Sequence, residues 1–323
     1  MSELGLIHAF LLNGSGGAKR LSLEEATRWK PEDGIIWLHF NCTASQTVKW
    51  ISNDEWLDDI SKEALLSEET RPRVTTINDA LLLALRGVNL NPGSDHEDMV
   101  ALRLWADQHR VITTIRRKLL SVVDIANNFE KSEGPINTSE LIIDLAERLI
   151  IRMSGTINNI EDRLADLEER VLDIGSIEYR QQLSDIRRES IIFRRYLAPQ
   201  REAMARLYGE KISWLDEKDR FRLREVTDQL IRYIEDLDSI RDRATVIHEE
   251  LVSNLSEQMN KRMYVLSLAA AIFLPLSFLT GLFGINVGGI PGSESKIAFA
   301  LFVLLLVVIA FVLLFLFKKK RWL

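Results

Sequence analysis

Residues 297–317 read IAFALFVLLLVVIAFVLLFLF, an unbroken run with no polar side chain. At about 1.5 Å per residue such a run reaches about 30 Å, the thickness of one bilayer core. A buried helix of a soluble protein would carry a polar stripe, so the stretch predicts a membrane span. Just upstream, residues 263–283 read MYVLSLAAAIFLPLSFLTGLF, uncharged and apolar at 16 of 21 positions, and predict a second span. Only 13 residues, GINVGGIPGSESK over 284–296, lie between them. The chain is expected to cross, turn sharply and return.

The flanks set the orientation. Lys261 and Arg262 precede the first span, and Lys318, Lys319, Lys320 and Arg321 follow the second. By the positive-inside rule both termini are cytoplasmic and the 284–296 loop faces outward, as in a bacterial inner membrane. No basic segment followed by an apolar one opens the chain, so no cleaved signal peptide is expected. Charge divides along the same line. Residues 263–323 hold one acid, Glu294, and five bases, a balance of +4 that leaves −10 for residues 1–262 out of the total of −6. An acidic, soluble-looking front rules against a nucleic-acid binder. A single cysteine, Cys42, excludes an internal disulfide and fits a reducing cytoplasm.

Residues 1–135 are expected to form an α/β cytoplasmic domain. Ile7–Leu12, Ile35–Phe40, Ala80–Leu90, Val100–Ala106 and Arg110–Ile115 are short β-rich runs bounded by turn signals, and Ser45–Leu66 reads as helix. Gly14-Ser15-Gly16-Gly17 lacks the Gly-Lys-Ser/Thr ending of a phosphate-binding loop. Residues 136–212 predict a helical hairpin, broken at Gly175-Ser176, with a kink at Pro199 and an end at Gly209. Ser213 or Asp216 then caps a new helix over 213–283, since no Gly or Pro occurs from Glu210 to Leu274. It continues into the first span as a stalk about 100 Å long, which needs partners along its length, and copies of itself suffice. The second span occupies 297–317, and 318–323 form a basic cytoplasmic tail.

Alternating three- and four-residue steps along that helix give one stripe: Asp238, Asp242, Thr245, Glu249, Val252, Ser256, Met259, Met263, Leu266, Ala270, Leu274, Ser277 and Gly281. Acids on the seam of a dry coiled coil would repel one another. Asp238, Asp242 and Glu249 suit a water-filled axis that attracts cations, or simply a solvated face. Two spans cannot enclose a conduit, so conduction requires several copies around an axis. Neither span holds an ionisable residue, so a substrate crossing there meets apolar rings and backbone.

Phe283-Gly284-Ile285-Asn286 follows a first span containing Phe273-Leu274-Pro275-Leu276. This set resembles the CorA family of divalent-cation transporters, whose signature is an aromatic-Gly-Met-Asn at the outer end of the first of two C-terminal spans. Ile285 stands in place of the Met. With Val287-Gly288-Gly289-Ile290-Pro291-Gly292, the strings Glu69–Val74 (ETRPRV) and Arg194–Arg201 (RRYLAPQR), and the Trp-Leu terminus, the chain is similar to the zinc-transporting ZntB branch. The resemblance covers essentially the whole chain. It implies a homopentameric funnel with Gly284, Ile285 and Asn286 as selectivity motif and an Asn286 ring at the outer mouth. The family's pore face falls on Met263, Leu266, Ala270, Leu274, Ser277 and Asn286. The first five lie on the stripe above, and Met259 extends it. Leu274 stands where magnesium transporters usually carry Met, and the nearest acid after Asn286 is Glu294.

The resulting expectation is transport of divalent cations, with Zn2+ as cargo and no resident cofactor. The resemblance also implies uptake coupled to protons, for which no intramembrane acid offers a physical account. A Mg2+ or Co2+ channel of the same family is the near alternative. A membrane-tethered coiled-coil scaffold or sensor is the alternative of another class. Enzymatic activity is not expected, because no nucleophile–base or metal-ligand constellation is visible. His8, His39, His96, His109 and His248 show no structural-zinc spacing with each other or with Cys42, so a fixed metal site is left unassigned.

Overall fold

The computed structural model describes residues 5–68, 70–171, 177–285 and 295–319. Seven strands form one sheet in the order β2-β1-β3-β7-β6-β5-β4. They are β1 (Leu6–Leu12), β2 (Ala18–Arg20), β3 (Ile36–Asn41), β4 (Arg73–Ile77), β5 (Ala80–Gly87), β6 (Val100–Ala106) and β7 (Arg110–Ile115). Only β3 and β7 pair in parallel, Ile36 opposite Arg110 through Asn41 opposite Ile115; the other pairings are antiparallel. Every residue of β6 and β7 is buried, the mark of central strands covered on both faces.

The two faces are filled differently. On one, Leu38, Phe40 and Ile112 pack with Ile51 of α2 (Ser45–Ser52), Leu65 of α3 (Asp59–Leu66), Leu57 of the turn between them and Ala26 of α1 (Leu23–Arg28). On the other, Phe10 and Trp37 meet the Phe129 ring of α4 (Leu120–Glu130) at 5.2 and 6.1 Å between centroids. The helix expected over Ser45–Leu66 is thus two helices. The Asp54 carboxylate accepts from the amides of Trp56 and Leu57 at 3.0 and 3.2 Å, which turns the chain, and Asp58 then caps α3 through Ser61 N at 2.9 Å. β5 stops at Gly87, short of Leu90. A Cβ there would stand 2.5 Å from Leu149 Cδ2, so the helix α5 (Thr138–Val171) packs where a side chain would be. The sequence reading had no place for β2, β4, α1 or α4.

The hairpin arms are α5 (Thr138–Val171) and α6 (Ile177–Gly209), antiparallel and joined across by Arg163 and Glu189 at 2.7 Å. Asn137 caps α5, accepting from Glu140 N at 2.8 Å. Pro199 lies inside α6, which remains one helix. Asp216 rather than Ser213 caps α7 (Glu217–Phe283), accepting from Asp219 N at 2.8 Å. Ser213 donates to the Asp79 carboxylate instead, and Trp214 Nε1 donates to Asp79 O at 2.9 Å. The β4–β5 turn therefore holds the chain just ahead of α7.

The chain divides into two compact units, Met1–His248 and Glu249–Leu323. In the first, α7 buries Leu223, Val226, Leu230, Tyr233, Leu237, Ile240, Ala244 and Ile247, spaced three and four residues apart. Arg222 bonds Asp144 and Glu147 of α5 at 2.5 and 2.7 Å, and Arg243 reaches Glu168 at 2.6 Å, so α7 runs parallel to α5. In the second unit lie the end of α7 and α8 (Ala298–Lys319), whose most apolar windows have mean hydropathies of 2.1 and 3.5. Both are long and apolar enough to cross a membrane.

His39 supplies a pH test of this fold. Burial lowers its pKa from 6.5 to about 3, with His8 beside it adding a smaller push. The native state therefore stays neutral where the unfolded chain takes up a proton. Stability is full above pH 6.5 and falls toward pH 3, at about 1.4 kcal/mol per pH unit where the proton difference is complete. The thermal midpoint of the detergent-solubilised protein should drop below pH 6.5, and the part of that drop due to His39 should vanish in His39→Phe.

Candidate functional site

The predicted pathway residues sit on one side of α7. At about 100° per residue, Met263, Leu266, Ala270, Leu274 and Ser277 fall within one narrow sector of the helix. All five are exposed, with Met263 at 60% and Leu266 and Leu274 at 73%. Leu268, Ala269, Ile272, Leu276 and Leu279 are half-buried and lie about 140° away. α8 has a matching stripe at Ala298, Phe302, Leu306, Ile309, Ala310, Leu313 and Phe317. Phe283 meets Phe302 at 5.1 Å between ring centroids. The chain thus covers only the Leu268–Leu279 stripe of the span, and the predicted pathway residues belong to the exposed remainder together with Val265, Phe273 and Phe278.

At the C-terminal end of α7, Gly284 N donates to Gly281 O at 3.2 Å and closes the helix. A Cβ on Gly284 would stand 2.9 Å from Thr280 O, so a side chain would force the turn open. Ile285 is half exposed, at 50%. Asn286 lies outside the described residues, and with it the rest of the motif and loop as far as Glu294.

The acids of the stripe differ from one another. Asp238 Oδ2 accepts from Arg194 Nε of α6 at 3.0 Å, and the Arg194 and Arg241 guanidiniums lie 2.8 and 3.1 Å from its Oδ1, so two guanidiniums stand against its charge. Asp242 is more open and takes Arg241 alone, at 2.8 Å. Arg241 holds its proton more tightly than a free guanidinium because of the Asp242 hydrogen bond. Glu249 is exposed and has no ion-pair partner among the described residues. Met259 is exposed at 63%. No group of three or more His, Cys, Asp or Glu is placed to hold a metal ion among the described residues. Cys42 is buried, its Sγ 3.4 Å from Ile115 O.

Sequence reading missed Arg86. Its guanidinium donates to Thr70 O at 2.9 and 3.1 Å and to Met99 O at 2.7 Å, and lies 5.0 Å from the Tyr196 ring centroid. Its backbone amide donates to Gln200 Oε1 at 2.7 Å. Thr70 belongs to the ETRPRV string, and Tyr196 and Gln200 belong to RRYLAPQR. The two strings meet on one arginine and fasten α6 to the β4–β5 edge. Nothing in the local pattern around Arg86 signals this, because its partners are 13 to 114 residues away.

The comparison with known proteins follows the same architecture. A family model described as CorA-like Mg2+ transporter protein matches residues 32–319. This chain belongs to the CorA-like transporter family. It is 35% identical over 323 residues to the zinc transport protein ZntB of Pectobacterium carotovorum subsp. carotovorum, covering 100% of this chain and 98% of that one. It is 39% identical over 325 residues to the divalent cation transporter CmaX of Pseudomonas aeruginosa, covering 99% and 98%. The solved full-length CmaX structure superposes with a TM-score of 0.88 at 38% identity, over 100% of this chain and 99% of that one. The CorA magnesium transporter of Methanocaldococcus jannaschii shares the fold, with a TM-score of 0.83 at 18% identity over 98% and 99%. The CorA-like assignment makes this a transporter of divalent cations through a pore, from a family of transporters and not of enzymes.

The two sides of the span predict different solvent access. Cys42 is the sole cysteine, so single cysteines are readable in a Cys42→Ser background. A cysteine at Leu274 should react at least tenfold faster with a charged, water-borne thiosulfonate than one at Ile272. Equal rates would contradict a water-facing Leu274.

Proposed function

We propose that this protein takes up Zn2+ across a bacterial inner membrane, as a homopentamer with both termini in the cytoplasm. The bare side of α7, from Met263 to Ser277, carries this reading. In a ring of copies that side faces the axis, and α8 stands between it and lipid. The side chains there are apolar, small or flexible, with no charge to bind a dehydrated ion. Zn2+ would then cross with water retained. Asn286, as the family resemblance has it, closes the outer mouth with a ring of amides. An amide oxygen accepts from the water shell of a cation without stripping it, so such a ring selects on size and hydration.

Glu249, Asp242 and, to a lesser degree, Asp238 would concentrate cations on the cytoplasmic side. Their effect would fade over a Debye length of about 8–10 Å as salt rises. Zinc is favoured by Ile285 in place of Met and by the ZntB relatives. The magnesium transporter in the family description supports Mg2+ as the second reading.

Asn286→Ala is expected to cut Zn2+ uptake into proteoliposomes at least tenfold while native mass spectrometry still records five subunits. Near-normal uptake by an intact pentamer would remove the amide ring from the account. A dimer as the largest species of the parent protein would remove the axial pathway itself. In the same assay, Glu249→Gln should slow uptake at low ionic strength and have little effect at high ionic strength.

A further inference from the structure

β3 and β7 are adjacent and parallel, but the chain leaves them toward opposite faces of the sheet. After Asn41 it enters α2, whose Ile51 packs with Leu38 and Phe40. After Ile115 it enters α4, whose Phe129 packs with Trp37 on the other face. Two parallel strands whose connections diverge leave a crevice beyond their carboxyl ends, where open α/β sheets bind ligands. Here that crevice is a cavity of about 480 Å3, within the range of small-molecule sites.

Its chemistry is two-sided. Leu6, Ile115, Leu119, Val122 and Val123 form apolar walls. At its rim runs Arg116-Arg117-Lys118, directly before the first turn of the 11-residue α4. Leu119 gives that turn no side-chain cap, and although the Val122 and Val123 amides bond Leu119 O, the positive end of the helix dipole lies here. Arg116 pairs with Glu68, itself 81% exposed, and Arg117 with exposed Asp98. Lys118 has no acidic partner among the described residues.

Two buried polar atoms here lack any hydrogen-bond partner: His8 Nδ1 and Arg116 Nε. A buried polar group left unpaired is costly, and a bound acceptor or donor would give it a partner. His8 and His39 lie side by side along the cavity, with ring centroids 5.9 Å apart. Thr113 Oγ1 sits 2.8 Å from His39 Nδ1 and fixes that ring. Burial keeps both imidazoles neutral at pH 7, able to bond a polar group without adding charge.

We propose that this crevice binds a small organic anion, its charged group at the Arg116–Lys118 run and the α4 N-terminus, its apolar body against Ile115, Val122 and Val123. None of the cavity's lining residues is among the predicted pathway residues. Such a ligand would bear on α4, which Arg152 of α5 grips through the Asp124 carboxylate at 2.7 and 2.8 Å.

The test is fluorine NMR titration of the detergent-solubilised full chain with 4-fluorobenzoate and the uncharged 4-fluorobenzyl alcohol. The benzoate should bind at least tenfold more tightly than the alcohol. Val123→Trp, which fills the cavity, should abolish its binding, and Lys118→Gln at the exposed rim should weaken it at least threefold. His8→Phe keeps the ring and removes its nitrogens, and should also weaken it. Thermal melts check that each variant folds; if Val123→Trp does not, Lys118→Gln and His8→Phe decide. Equal binding of the two probes, no benzoate binding up to about 10 mM, a binding free energy of only about −2.7 kcal/mol, or benzoate binding unchanged in the folded variants would overturn the proposal.

Discussion

Leu223, Val226, Leu230, Tyr233, Leu237, Ile240, Ala244 and Ile247 make one apolar seam on α7, and its own chain covers that seam. Each of its Leu, Ile and Val side chains, fully buried, contributes about 1.5–3 kcal/mol. A helix has only one circumference, so a seam committed inward dictates what the other side shows. In the first unit the other side carries Asp238, Asp242 and Thr245. In the second unit, taken by itself, the half-buried stripe from Leu268 to Leu279 leaves Met263, Leu266, Ala270, Leu274 and Ser277 open. A surface that apolar, in a span with no charge, has two places to be: against lipid or against copies of itself around water.

The rest of the first unit positions that helix. Ion pairs from Arg222 and Arg243 hold it along α5. Asp79 holds the chain just before it, through Ser213 and Trp214. Arg86, gripped by Thr70, Met99 and Tyr196, fixes α6 to the sheet edge. Each is a polar tie between elements far apart in sequence, laid over apolar packing that supplies most of the stability. Burial raises the Asp144 carboxyl above the usual range even with Arg222 beside it. That tie therefore serves to place α7 more than to add net stability.

How much of this was legible beforehand depended on the range of the interaction. The spans were plain because hydropathy is a property of each residue in a run. That Asp238 to Ser277 share one face of α7 could be drawn from the sequence because helical periodicity is local. The break at residues 53–58 was not, because it depends on one carboxylate, Asp54, turning back onto its own backbone. That same Asp54 is bonded to the buried Arg110 of β7, which no local pattern announces. α4 was missed because Leu120–Glu130 is short and its apolar residues answer to Phe10, Trp37 and α5. Arg86 and the crevice beyond β3 and β7 exist only once the sheet order is known. The Gly-Ile-Asn motif carried family information that no local physics would have weighted, since a glycine and an asparagine end many helices.

The central claim is that divalent cations pass through an assembly of these chains, with zinc as cargo. Its most direct test is metal entry into proteoliposomes of the purified protein, comparing Zn2+, Mg2+, Co2+ and Ni2+ with and without a pH gradient. The account predicts Zn2+ entry well above that of protein-free vesicles and faster than Mg2+ entry. Entry of no divalent metal above the protein-free rate, under either condition, would contradict it.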